Sequence, residues 1–221
     1  MKARTLFLLC FAAAVAVRAV PADTPEEAAL KIEARLRSIR SLESDYEHLY
    51  YSMTASEPLS EKGKLYFQHP DRMRWDSLEP EEQTFLSRDG TYLFYVPEEK
   101  QLIRSRGSKD RFESEILALF SGSRDFRESY LIEAGSFPTD GAGAVQLKLT
   151  PRKEGEFTYI LLETDPKSRL IRKAIFFDWA GNKQEFRFSR IKVDPRLPPD
   201  LFDLKVPPGT EVIEDEDALR K

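Results

Sequence analysis

Side chains that could carry catalysis or bind a metal are few and scattered in this sequence. His48 and His69 are the only histidines, and they lack the spacing of a zinc motif such as HExxH. No GxSxG, GxxxxGKS/T or GxGxxG motif occurs, so neither a nucleophilic serine nor a phosphate loop is indicated. The acidic pairs Glu81-Glu82 and Glu98-Glu99 lie in predicted turns, where exposed carboxylates are the rule. The sequence favours a binding protein over an enzyme and predicts no cofactor and no metal site.

The first residues, 1–22, have the pattern of a secretory signal peptide. Lys2 and Arg4 precede an apolar run at 6–17, and Val20-Pro21-Ala22 supplies the small residues of a cleavage site. The run is shorter than the ~20 apolar residues that a transmembrane helix needs, and an uncleaved anchor is the alternative. We therefore expect export to the periplasm as a soluble protein.

The remaining sequence, 23–221, is expected to form a single domain without a thiol. Cys10 is the only cysteine of the chain, and it lies in the predicted signal peptide without the small residues that precede a lipidated cysteine. The 221 residues include 15 Phe, 8 Tyr and 2 Trp, which is enough for a sizeable core. Without residues 1–22 the chain would keep 31 of its 34 basic residues against 38 acidic ones, and this net charge of about −7 disfavours binding to nucleic acid or to anionic membranes.

Two amphipathic helices are predicted. Residues 25–40 follow a capping box in which Thr24 and Glu27 exchange hydrogen bonds. Their apolar residues recur at helical spacing, and the charged ones fall largely on the other faces, among them Lys31, Glu33, Arg35 and Arg37. The second helix runs from Asp110 to Phe120. Asp110 and Glu113 can cap its start, and Gly122 can end it.

Most of the remaining sequence alternates between apolar and polar residues, which is typical of antiparallel strands. Asp89-Gly90 between two apolar runs predicts a tight hairpin. Residues 126–133 could form either a short helix or a strand, and the pattern does not decide between them. About ten strands result, and a sheet of that size should curl, with the two helices covering its apolar face.

The periodicity of the sequence does not decide between two interpretations of the covered face. In the first, Phe67, Met73, Trp75 and Phe120 fill an ordinary core. In the second, the sheet and helices enclose a cavity for an apolar ligand.

An ordered set of motifs resembles the LolA family, the periplasmic carriers of outer-membrane lipoproteins. The family's first motif, a glycine, a leucine, a proline and an Arg-Trp pair, is matched within residues 63–75. The other motifs follow in the family's order: Pro80 with Ser87-Arg88-Asp89-Gly90, Leu147-Lys148-Leu149-Thr150-Pro151, Asp178 with Gly181-Asn182, and Phe202 with Pro207-Pro208-Gly209.

The resemblance implies a mainly β fold, an unclosed antiparallel β-barrel of about eleven strands whose helices form a lid over an apolar cavity. We expect the cavity wall and lid to be formed by Leu36, Leu65, Phe67, Met73, Trp75, Ile116 and Phe120. The implied function is a monomeric carrier that shields the acyl chains of lipoproteins. Its implied partners are acylated lipoproteins, an inner-membrane ABC transporter that releases them, and an outer-membrane receptor where one exists.

One position departs from the family pattern. Proteobacterial LolA proteins have an arginine directly before the proline of the first motif, where it holds the lid by hydrogen bonds. Here that position is His69, which lacks the planar fork of arginine but can still donate. His69 is therefore the candidate lid latch. The departure leaves room for two alternatives of the same fold, an RseB-like sensor of lipoproteins or a glycolipid carrier.

Overall fold

A computed structural model describes residues 23–106, 112–139, 141 and 143–214. The predicted signal peptide, 1–22, and the candidate capping residue Asp110 lie outside this part of the chain, as does the side chain of Glu113.

The first helix, α1 (Pro25–Ser38), begins as the sequence predicts. The hydroxyl of Thr24 accepts a hydrogen bond from the amide of Glu27 at 3.2 Å, and the carboxylate of Glu27 accepts one from the amide of Thr24 at 2.9 Å. Its apolar stripe is buried, with Ile32 and Leu36 at most 1% exposed. One charged residue was placed wrongly, because Glu33 is buried with the stripe and not exposed on another face.

Two further helices follow in the middle of the chain, α2 (Phe112–Ser121) and α3 (Phe126–Ser129). Gly122 ends α2 with a φ of +60°, the left-handed conformation that glycine adopts most readily, so the predicted stop is confirmed. Residues 126–133, for which the sequence left helix and strand open, contain both, because α3 is followed directly by a strand that begins at Tyr130.

The strands form one sheet. They are β1 (Ser41–Tyr51), β2 (Leu59–Gln68), β3 (Arg72–Glu79), β4 (Gln83–Arg88), β5 (Thr91–Val96), β6 (Gln101–Arg106), β7 (Tyr130–Ala134), β8 (Val145–Pro151), β9 (Phe157–Thr164), β10 (Ile171–Asp178), β11 (Lys183–Val193) and β12 (Glu211–Glu214).

In the part of the chain that the structure describes, the sheet has twelve strands in the order β12-β6-β5-β4-β3-β2-β1-β11-β10-β9-β8-β7. Its two edge strands, β12 and β7, do not pair with each other, so the sheet stays open as predicted. All neighbouring strands pair antiparallel except β12 and β6, which are parallel. This parallel pair was not predicted from the sequence. Asp89 and Gly90 both have positive φ, 51° and 71°, and so form the predicted hairpin turn between β4 and β5.

The inner face of the sheet and the helices share one core. Leu65, Phe67 and Met73 are completely buried there. A smaller apolar layer covers the outer face, where Phe202 is 3% exposed and Leu86 is 1% exposed. Arg74 fixes this C-terminal segment by donating from Nη1 to the carbonyl oxygen of Leu201 at 2.9 Å.

Candidate functional site

The seven residues predicted to form the cavity wall and lid all belong to one buried cluster. Leu65, Phe67 and Met73 have no exposed surface, and the others are at most 9% exposed: Leu36, Trp75, Ile116 and Phe120. The strand residues come from the inner face of β2 and β3, and the helical ones from the buried faces of α1 and α2. The structure therefore brings the predicted set together, but in a closed arrangement whose ligand-binding role stays a prediction.

Aromatic rings connect the lid to the sheet. Trp75 makes edge contacts with Tyr46, with ring centroids 4.7 Å apart, and with Phe186, at 5.5 Å. Phe120 on α2 meets Phe188 on β11 edge to face at 5.0 Å. Such pairs stabilise a core beyond the area they bury. The buried face of α2 thus packs against aromatic rings of the central strands.

A cavity of about 170 Å³ remains beside this contact. Its apolar wall consists of Trp75, Phe85, Phe94, Ile116 and Phe186. Ligand sites for small molecules usually measure ~300–1,000 Å³, so this space can hold only part of an acyl chain. Of the predicted site residues, Trp75 and Ile116 border the cavity directly.

A polar wall adjoins these rings, and sequence reasoning missed it. It contains Tyr46, His48, Glu61, Ser77 and Gln83. Burial and the nearby carboxylate of Glu61 raise the pKa of Tyr46, so its hydroxyl keeps its proton. His48 lies two residues after Tyr46 on β1, so the two side chains face the same side of the sheet. This two-residue spacing is the signal by which the sequence could have identified His48.

The helices that cover the core are tied to one another through Glu33, which is 4% exposed. Its carboxylate accepts from the backbone amide of Phe126 at 3.0 Å and pairs with Arg37 at 2.6 Å. Arg37 also donates from Nε to the carbonyl oxygen of Gly122 at 2.6 Å. These bonds connect α1 to the junction between α2 and α3.

A second tie connects α2 to the sheet. The hydroxyl of Tyr130 on β7 donates to the carboxylate of Glu115, which also pairs with Arg124 at 2.9 Å. Burial and the negative charge of Glu115 raise the pKa of Tyr130, so its hydroxyl remains a donor.

The candidate latch, His69, lies at the turn after β2. Its side chain is exposed, and its backbone amide donates to the carbonyl oxygen of Arg40 at 2.8 Å. The ring stands edge-on to Phe67 with centroids 6.1 Å apart. Among the residues that the structure describes, the imidazole makes no hydrogen bond, and its role as a latch stays a prediction.

A larger groove, of about 1000 Å³, crosses the outer face of the sheet. Its charged side chains are largely paired: Asp45 with Lys64 at 3.1 Å, and Glu47 with Lys62 at 3.6 Å and Arg187 at 3.8 Å. Such exposed ion pairs hold their side chains in place only weakly. The groove is lined by charged residues together with apolar ones such as Leu78 and Pro166.

Large apolar side chains are exposed at one end of the sheet. Met53, in the connection from β1 to β2, and Leu59, the first residue of β2, are each 70% exposed, and Trp179, at the turn from β10 to β11, is 69% exposed. The two turns touch, because the amide of Met53 donates to the side chain of Asn182 at 3.1 Å. No helix within the described ranges is both long and apolar enough to cross a membrane.

Comparison with known proteins points to one family. The family model of the outer membrane lipoprotein carrier protein LolA matches residues 37–205. The outer-membrane lipoprotein carrier protein of Methylococcus capsulatus is 27% identical over 198 residues, which cover 88% of this chain and 90% of that relative. The protein of the same name from Dechloromonas aromatica is 24% identical over 178 residues, which cover 80% and 83%.

A solved structure supports the fold. The crystal structure of an uncharacterized conserved protein from Thermus thermophilus matches with a TM-score of 0.56 at 12% identity. The match covers 84% of this chain and 98% of that one. At this identity the similarity concerns the fold alone.

Proposed function

The chain belongs to the LolA family of outer membrane lipoprotein carrier proteins, and on this premise we propose that it carries lipoproteins across the periplasm. It shields their acyl chains and takes them from the inner to the outer membrane. One observation supports the proposal above the others. An apolar core is closed by α2, and a cavity lies where the helix meets Trp75. A carrier needs such a space, largely apolar and bordered by a helix.

The energies are consistent with a carrier that both binds and releases. Lifting α2 exposes Ile116, Leu119 and Phe120, which costs about 5–9 kcal/mol at ~1.5–3 kcal/mol for each side chain. An acyl chain of ~14 methylenes gains about 11 kcal/mol when it is buried, at ~0.8 kcal/mol for each. About 2–6 kcal/mol is left for binding, so opening the lid offsets roughly half or more of the gain from one chain. Cargo bound in this way can be passed on.

The proposed partners follow from this cycle. Loading is driven by an inner-membrane ABC transporter, and unloading occurs to an outer-membrane receptor where one exists. The carrier works as a monomer, since one cavity serves one acylated amino terminus.

The proposal is tested by incubating the purified protein with spheroplasts that display a newly made lipoprotein. We expect the protein to release the lipoprotein as a soluble complex and to transfer it to outer-membrane vesicles. Ile116→Glu puts a charge on the face of α2 that borders the cavity and should abolish release. Leu131→Glu is the matched control, because Leu131 is 50% exposed on β7. Failure of the folded wild-type protein to release any lipoprotein would contradict the proposal, and binding without transfer would favour the sensor alternative.

A further inference from the structure

The polar wall of the cavity contains a buried nitrogen atom without a partner. Among the residues that the structure describes, Nε2 of His48 and Oγ1 of Thr164 are the buried side-chain polar atoms that make no hydrogen bond. Thr164 does not line the cavity, whereas His48 does. A buried polar atom left unpaired costs stability, so its retention at a cavity points to a ligand.

The other ring nitrogen determines what Nε2 of His48 can do. Nδ1 lies 3.4 Å from Oε2 of Glu61, the residue directly opposite on β2. An ionised carboxylate can only accept, so Nδ1 carries the proton and donates it. In the neutral ring Nε2 is then an acceptor. The position therefore suits a ligand that presents an N–H or O–H group.

The ring of His48 is held in this orientation from its second side. It stacks flat on Phe186, the residue opposite on β11, with centroids 4.1 Å apart and planes 3° apart. Glu61 and Phe186 thus fix the imidazole between two neighbouring strands. Nε2 is pre-organised as an acceptor and does not have to be ordered by the ligand.

His48 also marks the boundary between two spaces. The apolar cavity lies on one side, against Trp75 and Phe186. A recess of about 210 Å³, lined by Tyr50, Leu59 and Gln184, lies on the other, and His48 and Glu61 line both. An amphiphile with its tail among the rings would place its first polar group at this boundary.

We propose that His48 accepts a hydrogen bond from the first N–H or O–H group that follows a buried acyl chain. This inference rests on the proposed carrier function and specifies the polar part of the cargo. Two sources share the chemistry: the amide of an N-acylated amino terminus, and the hydroxyl group of a glyceride. An ester in the same position has no proton to donate and leaves Nε2 unpaired.

The experiment compares three amphiphiles of one chain length: N-ethyldecanamide, 1-O-decylglycerol and ethyl decanoate. Binding is followed by the fluorescence of Trp75 in a Trp179→Phe background, so that one reporter remains. Because the ester is the most apolar probe, each variant is described by the ratio of its amide or glycerol affinity to its ester affinity. In His48→Phe, we expect the ratio to fall about tenfold, equivalent to ~1.4 kcal/mol.

Two further variants make the test independent of the folding of His48→Phe. Glu61→Gln no longer fixes the proton on Nδ1 and should lower the ratio in the same direction. Glu47→Gln is the matched control, because Glu47 is the neighbour of His48 on β1 and faces the outer groove. It should leave the ratio unchanged.

The outcomes separate this inference from the proposed function. A larger loss for the amide identifies the N-acyl group as the partner of His48, and a larger loss for the glycerol probe identifies the glyceride hydroxyl group. Ratios that stay the same in both His48→Phe and Glu61→Gln overturn the inference while leaving the carrier intact. If no probe binds to the folded protein, both proposals fail.

Discussion

The carboxylate of Glu33 on α1 accepts a hydrogen bond from the backbone amide of Phe126, 3.0 Å away at the start of α3. Glu33 is 4% exposed, and its partner Arg37 reaches on to the carbonyl oxygen of Gly122 at the end of α2. One buried carboxylate therefore joins the three helices that cover the core. These bonds must be considered in any movement of the lid.

Removing this carboxylate should loosen the lid. Glu33→Ala leaves the amide of Phe126 without its partner and Arg37 without its counter-charge, so we expect the free energy of unfolding to fall by about 2–4 kcal/mol. Hydrogen exchange at the Phe126 amide should accelerate more than exchange in the central strands. Glu26→Ala, on the exposed side of the same helix, should change stability by less than ~0.5 kcal/mol. Equal effects of the two substitutions would show that Glu33 has no special role.

A methyl group at Gly122 should prevent the helices from closing. Its Cβ would lie 2.8 Å from Cγ and 3.0 Å from the backbone nitrogen of Arg37, and its φ is +60°. Gly90 provides the control, because it has a φ of +71° with nothing within 4 Å of an added Cβ. Gly90→Ala should therefore cost only the backbone strain, ~1–2 kcal/mol, in urea unfolding. Gly122→Ala should cost more, and an equal loss would mean that α1 adjusts freely.

Sequence patterns predicted those elements whose signals are local. The capping box at Thr24 and the Asp89-Gly90 turn depend on residues that are neighbours in the chain, and both formed as expected. The parallel pairing of β12 with β6 was not predictable, because it joins segments far apart in sequence. This pairing forms β12, the strand that the structure has beyond the eleven expected.

The polar contacts of the site were missed for the same reason. Alternation along β1 places His48 on the inner face, but it does not show that Glu61 and Phe186 lie on either side of it. Helical periodicity assigned Glu33 to an exposed face, because one polar residue at the border of a stripe is indistinguishable from its neighbours. Its partner, the amide of Phe126, belongs to the backbone and leaves no mark in the sequence.

The stability of the sheet should depend on pH through Glu185. Burial raises the pKa of this carboxyl group, but hydrogen bonds from Arg187 and Lys183 outweigh burial and leave the pKa below its usual range. A lowered pKa stabilises the fold above the unfolded value of ~4.3, and this contribution is lost as the pH falls through the folded value. Glu185→Gln should therefore lower the free energy of unfolding by about 1–2 kcal/mol at pH 7. The difference from wild type should shrink below about pH 4, and a constant difference down to pH 2 would contradict the assignment.

The latch role expected for His69 can be tested separately. Its ring stands against Phe67, which belongs to the predicted cavity wall. If His69 holds the closed lid, His69→Ala should raise the affinity for a long-chain amphiphile, whereas a ring that only packs against Phe67 should leave it unchanged. Titration of Trp75 fluorescence in the Trp179→Phe background measures this change. An unaltered affinity in both His69→Ala and His69→Arg would reduce His69 to a turn residue.

Ligand entry should move α2 while the sheet stays in place. The cavity of about 170 Å³ is too small for a complete acyl chain, and Ile116 forms part of its wall. A longer chain can therefore enter only when the apolar face of α2 withdraws, whereas β1 and β11 are held by pairing along most of their length. Amide hydrogen exchange with and without a C16 amphiphile should show faster exchange in α2 and unchanged exchange in β1 and β11. A C6 amphiphile of the same head group is the control, because its tail is short enough to fit with α2 in place. Uniform protection of helix and sheet by the long amphiphile would mean that the chain binds elsewhere, outside the lid.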